Sequence, residues 1–319
     1  MRFSTMGRCR RSAWAALALA GGALLTACGI APVARPAADQ LPACVPAPAP
    51  APPVAEAPKP TRPPRVALAL GGGAARGFAH IGVIEVLEEN GIHPDIVTGT
   101  SAGSFVAAMY AAGRSGKELE AIALNLDESR LTDWAFPGRG MIRGTALADY
   151  VREQVGNRSF DQLKIPLGIV ATDLDSGAAI LFQRGDTGAA VRASSAVPAV
   201  FQPVKIGTRE YVDGGLVSPV PVRFARQMGA EMVIAIDISS APDGNATGDL
   251  MKMLLQTFAI MGRSINQFEL RDADVVLRPV LTGVSGADFS ARSRAIQAGR
   301  EVATRLLPEL KAKITALMR

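Results

Sequence analysis

"DIVTGTSAGSFVAAMY", residues 95–110, passes from a strand-like run to a helix-like run across a single tight turn. That turn holds Gly99-Thr100-Ser101-Ala102-Gly103, a G-x-S-x-G. A strand–turn–helix with a serine at its apex projects the hydroxyl into solvent. The crowding it creates requires small residues on both sides, here Gly99, Ala102 and Gly103. The following helix points the positive end of its dipole at the serine. An ordinary βα turn with a serine N-cap uses the same residue types, so the surrounding chain has to decide between them.

Outward from this turn the pattern alternates. "RVALAL" (65–70), "PDIVTG" (94–99), "IPLGIVATDL" (165–174), "AAILFQRG" (178–185), "EMVIAIDIS" (231–239) and "DVVLRPV" (274–280) read as strands. Most are short apolar runs of the kind buried in a parallel sheet. "FAHIGVIEVLEENG" (78–91), "AGSFVAAMYAAG" (102–113), residues 251–266 and residues 291–318 read as helices, the first two closed by Gly91 and Gly113. Strands alternating with helices predict a three-layer α/β/α fold around a mostly parallel sheet.

Residues 65–319 supply that domain, and the chain before them reads differently. Arg2, Arg8, Arg10 and Arg11 precede an uncharged apolar run from Ala13 to Leu25, as in a secretory signal. Leu25-Thr26-Ala27-Cys28 resembles a bacterial lipobox, with residues 1–27 removed and Cys28 lipidated. Gly29 in the next position implies an outer-membrane destination in the cell envelope. A plain signal peptide or a short membrane anchor is the alternative. Residues 28–64 form an Ala/Pro-rich spacer tethered at Cys28, with twelve prolines between Ala31 and Pro64. Such a segment cannot bury enough apolar surface to fold and predicts an extended polyproline-like tether.

The formal net charge of +5 falls to +1 without residues 1–27, which hold four arginines and no acids. The remaining charge gives no footprint for a nucleic acid. The three cysteines are Cys9, Cys28 and Cys44, so residues 65–319 contain none. A thiolate zinc site and a disulfide within the domain are excluded, and two histidines make a His-rich metal site a poor expectation.

"LGGGAARGFAHIGV" (70–83) occupies the first strand-to-helix turn. Counted from Gly71, the sixth place of a dinucleotide fingerprint is Arg76, and Arg76-Gly77-Phe78 does not close a Walker A loop. Backbone amides at Gly71, Gly72 and Gly73 are then expected to form an oxyanion hole beside Ser101. An activated serine also needs a base. His80 begins the helix after the glycine loop, and His93 lies in the connector at the far edge of the sheet. Asp213, in "TREYVDGGLVSPVPV" (208–222), follows a short strand and precedes two glycines. It is either a base held close to another loop or the first residue of a hairpin turn. Asp173 and Asp175 read as carboxylates that structure a loop.

Gly71–Gly77, Gly99–Gly103 and Asp213-Gly214-Gly215, in this order, together with "ASSAVPAVFQPV" (193–204), resemble the patatin-like phospholipase family. The resemblance runs from residue 65 to about residue 240. It implies a Ser–Asp dyad, Ser101 as nucleophile and Asp213 as base, with the oxyanion hole extending to Ala74. It further implies hydrolysis of fatty-acyl esters of phospholipids or lysophospholipids without metal or organic cofactor. The substrate is then a lipid or acyl ester, the membrane is reached through Cys28, and no protein partner is implied. Some members carry Asp before the triple glycine, where this chain has Leu70; that leaves substrate preference open. A thioesterase or general esterase on the same dyad, or a non-catalytic envelope protein, are the other readings. The methionine-rich stretch at 250–262 reads as a core helix or as a lipid-contacting flap.

Overall fold

The computed structural model describes residues 62–135, 139–239 and 248–319. The proposed signal, Cys28 and the spacer as far as residue 61 lie outside them. Residues 58–319 form one compact unit. It holds every described strand and helix and all three hydrophobic clusters, so it carries what a domain needs to fold.

The strands are β1 (Val66–Leu70), β2 (Ile96–Thr100), β3 (Gly140–Ile142), β4 (Leu167–Asp173), β5 (Ala179–Phe182), β6 (Ala199–Phe201), β7 (Val204–Ile206), β8 (Arg209–Asp213), β9 (Met232–Ile236) and β10 (Val275–Leu277). The helices are α1 (Ala79–Glu89), α2 (Ala102–Ala111), α3 (Gly116–Leu124), α4 (Thr145–Gln154), α5 (Thr187–Ser194), α6 (Val222–Gln227), α7 (Leu250–Glu269) and α8 (Arg292–Ala316). The main sheet runs β10-β9-β1-β2-β4-β8-β7, with β5 also paired to β4. From β10 to β4 all pairs are parallel; β5, β7 and β8 join antiparallel. β3 and β6 make a separate two-stranded ribbon.

The two-residue period of the strands separates the layers. Leu68 and Leu70 of β1 and Met232, Ile234 and Ile236 of β9 face the large cluster shared with α1, α2 and α8. Ala67, Ala69, Val233 and Ala235 face α6. Large residues on one face and small ones on the other set a thick helical layer against a thin one. Within the thick layer, α1 and α8 cross where Gly82 and Gly299 stand. A Cβ at Gly82 would overlap the Ile296 carbonyl, and one at Gly299 the Ala79 carbonyl.

The strand order reverses between β1 and β9, and open α/β sheets bind ligands beyond the carboxyl ends of strands at such a switch. The loop after β1 is the glycine loop, and the turn after β2 carries Ser101. Register brings in Asp213: Thr100 pairs with Val170, and the next β4 residue, Ala171, pairs with Asp213. Ser101 and Asp213 therefore emerge on either side of β4 at nearly the same height.

Candidate active site

Ser101 has φ 53° and ψ −124°, a backbone conformation that non-glycine residues rarely adopt. The packing around it explains the small neighbours. A Cβ at Gly99 would sit 2.5 Å from the Gly103 carbonyl oxygen, and one at Gly103 would overlap the Leu70 carbonyl. The Ser101 amide donates to Ser194 Oγ at 2.8 Å, and the Ser194 hydroxyl donates to the Val170 carbonyl at 2.6 Å. Ser194, fully buried at the end of α5, thus ties the strained turn to β4. The sequence does not single it out: "ASSAVP" marks a small-residue segment but not which hydroxyl reaches the turn.

Asp213 ends β8 and leads into a short 3₁₀ turn, Gly214–Leu216, so Asp213-Gly214 is not a hairpin turn. The hairpin lies earlier, at the β7–β8 connection. Its backbone is fixed on both sides: the Asp213 amide donates to the Ala196 carbonyl at 3.0 Å, and Thr172 Oγ1 donates to the Asp213 carbonyl at 2.8 Å. Gly214 is required because a Cβ there would overlap the Val170 carbonyl. The Gly215 amide donates to Asp213 Oδ1 at 2.6 Å. Oδ2 is buried and makes no hydrogen bond, and the Ser101 side chain is a polar neighbour of the carboxyl. Burial pushes the carboxyl up to about 6, against the opposing pull of the Ser101 hydroxyl and then the Gly215 amide.

Gly72 packs against the serine, its position for a Cβ lying 3.1 Å from Ser101 Cβ. The amides of the loop are not equivalent. Gly71 N–H donates to the Ile236 carbonyl at 3.1 Å and Gly72 N–H to the Pro219 carbonyl at 2.9 Å. Among the described residues, those of Gly73 and Ala74 have no backbone acceptor. Of the four amides expected to face the oxyanion, those of Gly71 and Gly72 thus also hold the loop to β9 and to the segment before α6.

His80 is fully buried and its Nε2 lies 2.8 Å from the Gly71 carbonyl. Burial lowers its pKa to about 4, so the neutral ring donates to that carbonyl and Nδ1 is left without a partner. It supports the glycine loop from beneath. His93 is exposed before β2, at the opposite edge of the sheet. Asp173 structures its loop as expected, accepting from the Ser176 amide at 2.9 Å and from Arg209 at 2.7 Å. Among the described residues no group of three or more His, Cys, Asp or Glu is arranged to hold a metal.

Ser101 opens onto a cavity of about 450 Å³, within the range of roughly 300–1,000 Å³ usual for ligand pockets. Its walls are almost wholly apolar, with Phe105 and Met109 from α2, Leu119 and Ile122 from α3, and Phe78 and Phe289. Phe78 and Phe289 meet edge to face at 5.9 Å.

The patatin-like phospholipase family model matches residues 68–226. An uncharacterized NTE family protein of Mycobacterium tuberculosis is 41% identical over 186 residues, 57% of this chain and 51% of the relative. Human patatin-like phospholipase domain-containing protein 6 is 36% identical over 184 residues, 55% of this chain and 13% of that protein. The chain thus spans about half the length of the mycobacterial relative and a small part of the human one. The crystal structure of VipD from Legionella pneumophila superposes with a TM-score of 0.54 at 16% identity, covering 78% of this chain and 68% of VipD. That likeness concerns the fold. Residues 68–226 of this chain are a domain of the patatin-like phospholipase family.

Proposed function

We propose that the domain is a serine acyl hydrolase acting on fatty-acyl esters of phospholipids or lysophospholipids, with Ser101 as nucleophile and Asp213 as base. One observation carries this reading: a serine on a strained turn stands between a buried carboxylate with an unpartnered oxygen and an apolar cavity open to its hydroxyl. Ser101 Oγ attacks the ester carbonyl as its proton passes to Asp213 Oδ2. The oxyanion that forms is held by the amides of Gly73 and Ala74. The ester C–O bond breaks, and the proton on Asp213 goes to the departing alkoxide. Water then attacks the acyl-serine, giving a proton to Asp213, which returns it to Ser101 as the fatty acid leaves. A base that titrates near 6 is ionised at neutral pH and more basic than an ordinary carboxylate, which favours this role.

We further propose that Cys28 carries a lipid anchor and that residues 28–64 tether the domain to the cell envelope, so that substrate and enzyme share one surface. Treatment with a fluorophosphonate probe tests the chemistry. Parent protein is expected to label, and Ser101→Ala and Asp213→Ala are not. Labelling that survives loss of Asp213, or a folded parent that does not label, refutes the dyad. A panel of phospholipid, lysophospholipid and thioester substrates then separates the lipase from a thioesterase.

A further inference from the structure

Helix α7 is built inside out. Its apolar row Leu250, Leu254, Phe258, Met261, Ile265 and Phe268 follows a spacing of four, four, three, four and three, a continuous stripe about 27 Å long. A surface helix ordinarily turns such a stripe to the core. Here no member of the row is buried, and Leu250 and Phe268 keep 77% and 64% of their surface. Met253 and Ile260 widen the exposed arc. The face turned inward is formed by Gly262, Asn266 and Glu269. Glu269 Oε1 accepts from Ser218 at 2.8 Å and from Arg223 at 3.0 Å. Asn266 Oδ1 and Glu269 Oε2 are buried without partners.

Polar contacts dock the helix, while Leu250, Met261 and Phe268 of its hydrophobic row are exposed and Leu254, Phe258 and Ile265 are only half-buried. Gly262 sits against Pro219 and the Gly215 carbonyl, so the helix lies at the rim of the Asp213–Gly215 turn, beside the proposed catalytic pair. No described helix is long and apolar enough to cross a membrane. An amphipathic helix with an exposed apolar arc is suited to lie in the plane of a lipid interface.

We infer that α7 is an interfacial helix whose Leu250–Phe268 row inserts into the lipid surface that presents the substrate. The inference rests on the lipid hydrolase reading and adds to it the means by which the site reaches its substrate. A lipid surface is favoured over a second copy of the chain by the position of the row next to the site and by the anchor proposed at Cys28. A spacer of residues 28–64 spans up to roughly 110 Å when extended, so the anchor alone does not hold the site against the surface. Lys252 and Arg263 fall on the side of the helix away from the row and Arg271 lies over the Phe268 ring at one end of it, so most of the row meets the surface without a cation and the interaction is chiefly hydrophobic.

Residues 58–319, which lack Cys28, are tested by co-sedimentation with phosphatidylcholine vesicles, with and without phosphatidylglycerol, at low and high salt. The parent is expected to bind in all conditions. A triple variant, Leu250→Glu, Met261→Glu and Phe268→Glu, is expected to bind at least about tenfold more weakly. It should still hydrolyse a water-soluble short-chain ester at the parental rate and lose activity only on vesicle phospholipid. Equal binding by parent and variant overturns the inference, as does a parent that ignores vesicles or binds only at low salt. A parent that is dimeric without lipid, and becomes monomeric with the three substitutions while ignoring vesicles, assigns the row to a second copy instead. A parent that binds vesicles through α7 but cleaves no ester sinks the hydrolase reading and leaves the helix assignment standing.

Discussion

Asp173 and Asp213 stand on adjoining antiparallel strands, two pairing steps apart, and both side chains are buried by the fold. Their acidities diverge. Asp173 is held at about 2 by the Ser176 amide, the Arg209 guanidinium and the Ser176 hydroxyl. Its partner Arg209 is itself more than half exposed, so the pair sits at the wet rim of the sheet. Asp213 has one amide on Oδ1, an Oδ2 without a partner and the Ser101 hydroxyl as a neighbour, with no cation bonded to it, and burial raises it to about 6. A saturated carboxylate fixes a loop, whereas one left short of partners is kept basic. The difference separates a structural acid from the proposed catalytic one better than either residue's sequence context does.

Removing the reactive pair should break the comparison most severely. Ser101→Ala is expected to lower ester hydrolysis by at least about 10⁴-fold, and Asp213→Asn by about 10²–10⁴-fold. Asp173→Asn should leave probe labelling at Ser101 intact. The parent's kcat/KM on a soluble ester should fall about tenfold per pH unit below an apparent pKa near 6 and level off above it. A profile flat from pH 5 to 8 would remove Asp213 as the base.

Stability should move in opposite directions at the two sites. The raised pKa of Asp213 means its stabilising contribution is complete below the unfolded value of 3.8 and is lost as pH rises through about 6. At pH 8 the buried charge costs about 3 kcal/mol, so Asp213→Asn should melt higher than the parent there, with the gap closing toward pH 4. Asp173 has the reverse sign: its contribution is present above the unfolded 3.8 and lost as pH falls through about 2. Asp173→Asn should therefore melt lower at neutral pH, and calorimetry across pH should show the deficit vanish in strong acid. Parallel shifts of the two variants would show that environment does not divide them as described.

The strands and the serine turn were legible because each is encoded locally. β1 and β9 are unbroken apolar runs and β4 is apolar over its first five residues, and Gly99 and Gly103 announce a close approach that only their neighbours could explain. The three-residue strands β6 and β7 left no period long enough to read. Asp213 could be singled out, but not its acidity, which arises from burial among β4, β8 and the Ser101 turn. The glycine loop shows the same boundary between local and distant information. Its seven residues suggest a row of equivalent donors, whereas Pro219 and Ile236, well over a hundred residues later, take the first two amides. Ser194 reaches the serine turn from 93 residues away. For α7 the period was visible, but periodicity cannot tell which face meets the protein.

His80 offers the smallest expected effect and the sharpest test of where the proton goes. A histidine beside a glycine loop and one strand from an activated serine invites assignment as the base. Its ring is neutral, its Nε2–H is committed to the Gly71 carbonyl, and burial disfavours its charged form, with a pKa of about 4. The ring therefore acts by holding a peptide, and an amide N–H of similar reach can replace it. His80→Gln should retain hydrolysis within about tenfold, since a positioning hydrogen bond contributes far less than a proton acceptor. The pH profile should keep its break near 6, because Asp213 still sets it. His80→Ala leaves the Gly71 carbonyl without its donor and opens space beneath the loop, so it should melt lower and lose more activity than His80→Gln. If His80→Gln instead abolished labelling of Ser101 in a protein that melts like the parent, the proton would pass through the imidazole, and Asp213 would join Asp173 as a structural acid.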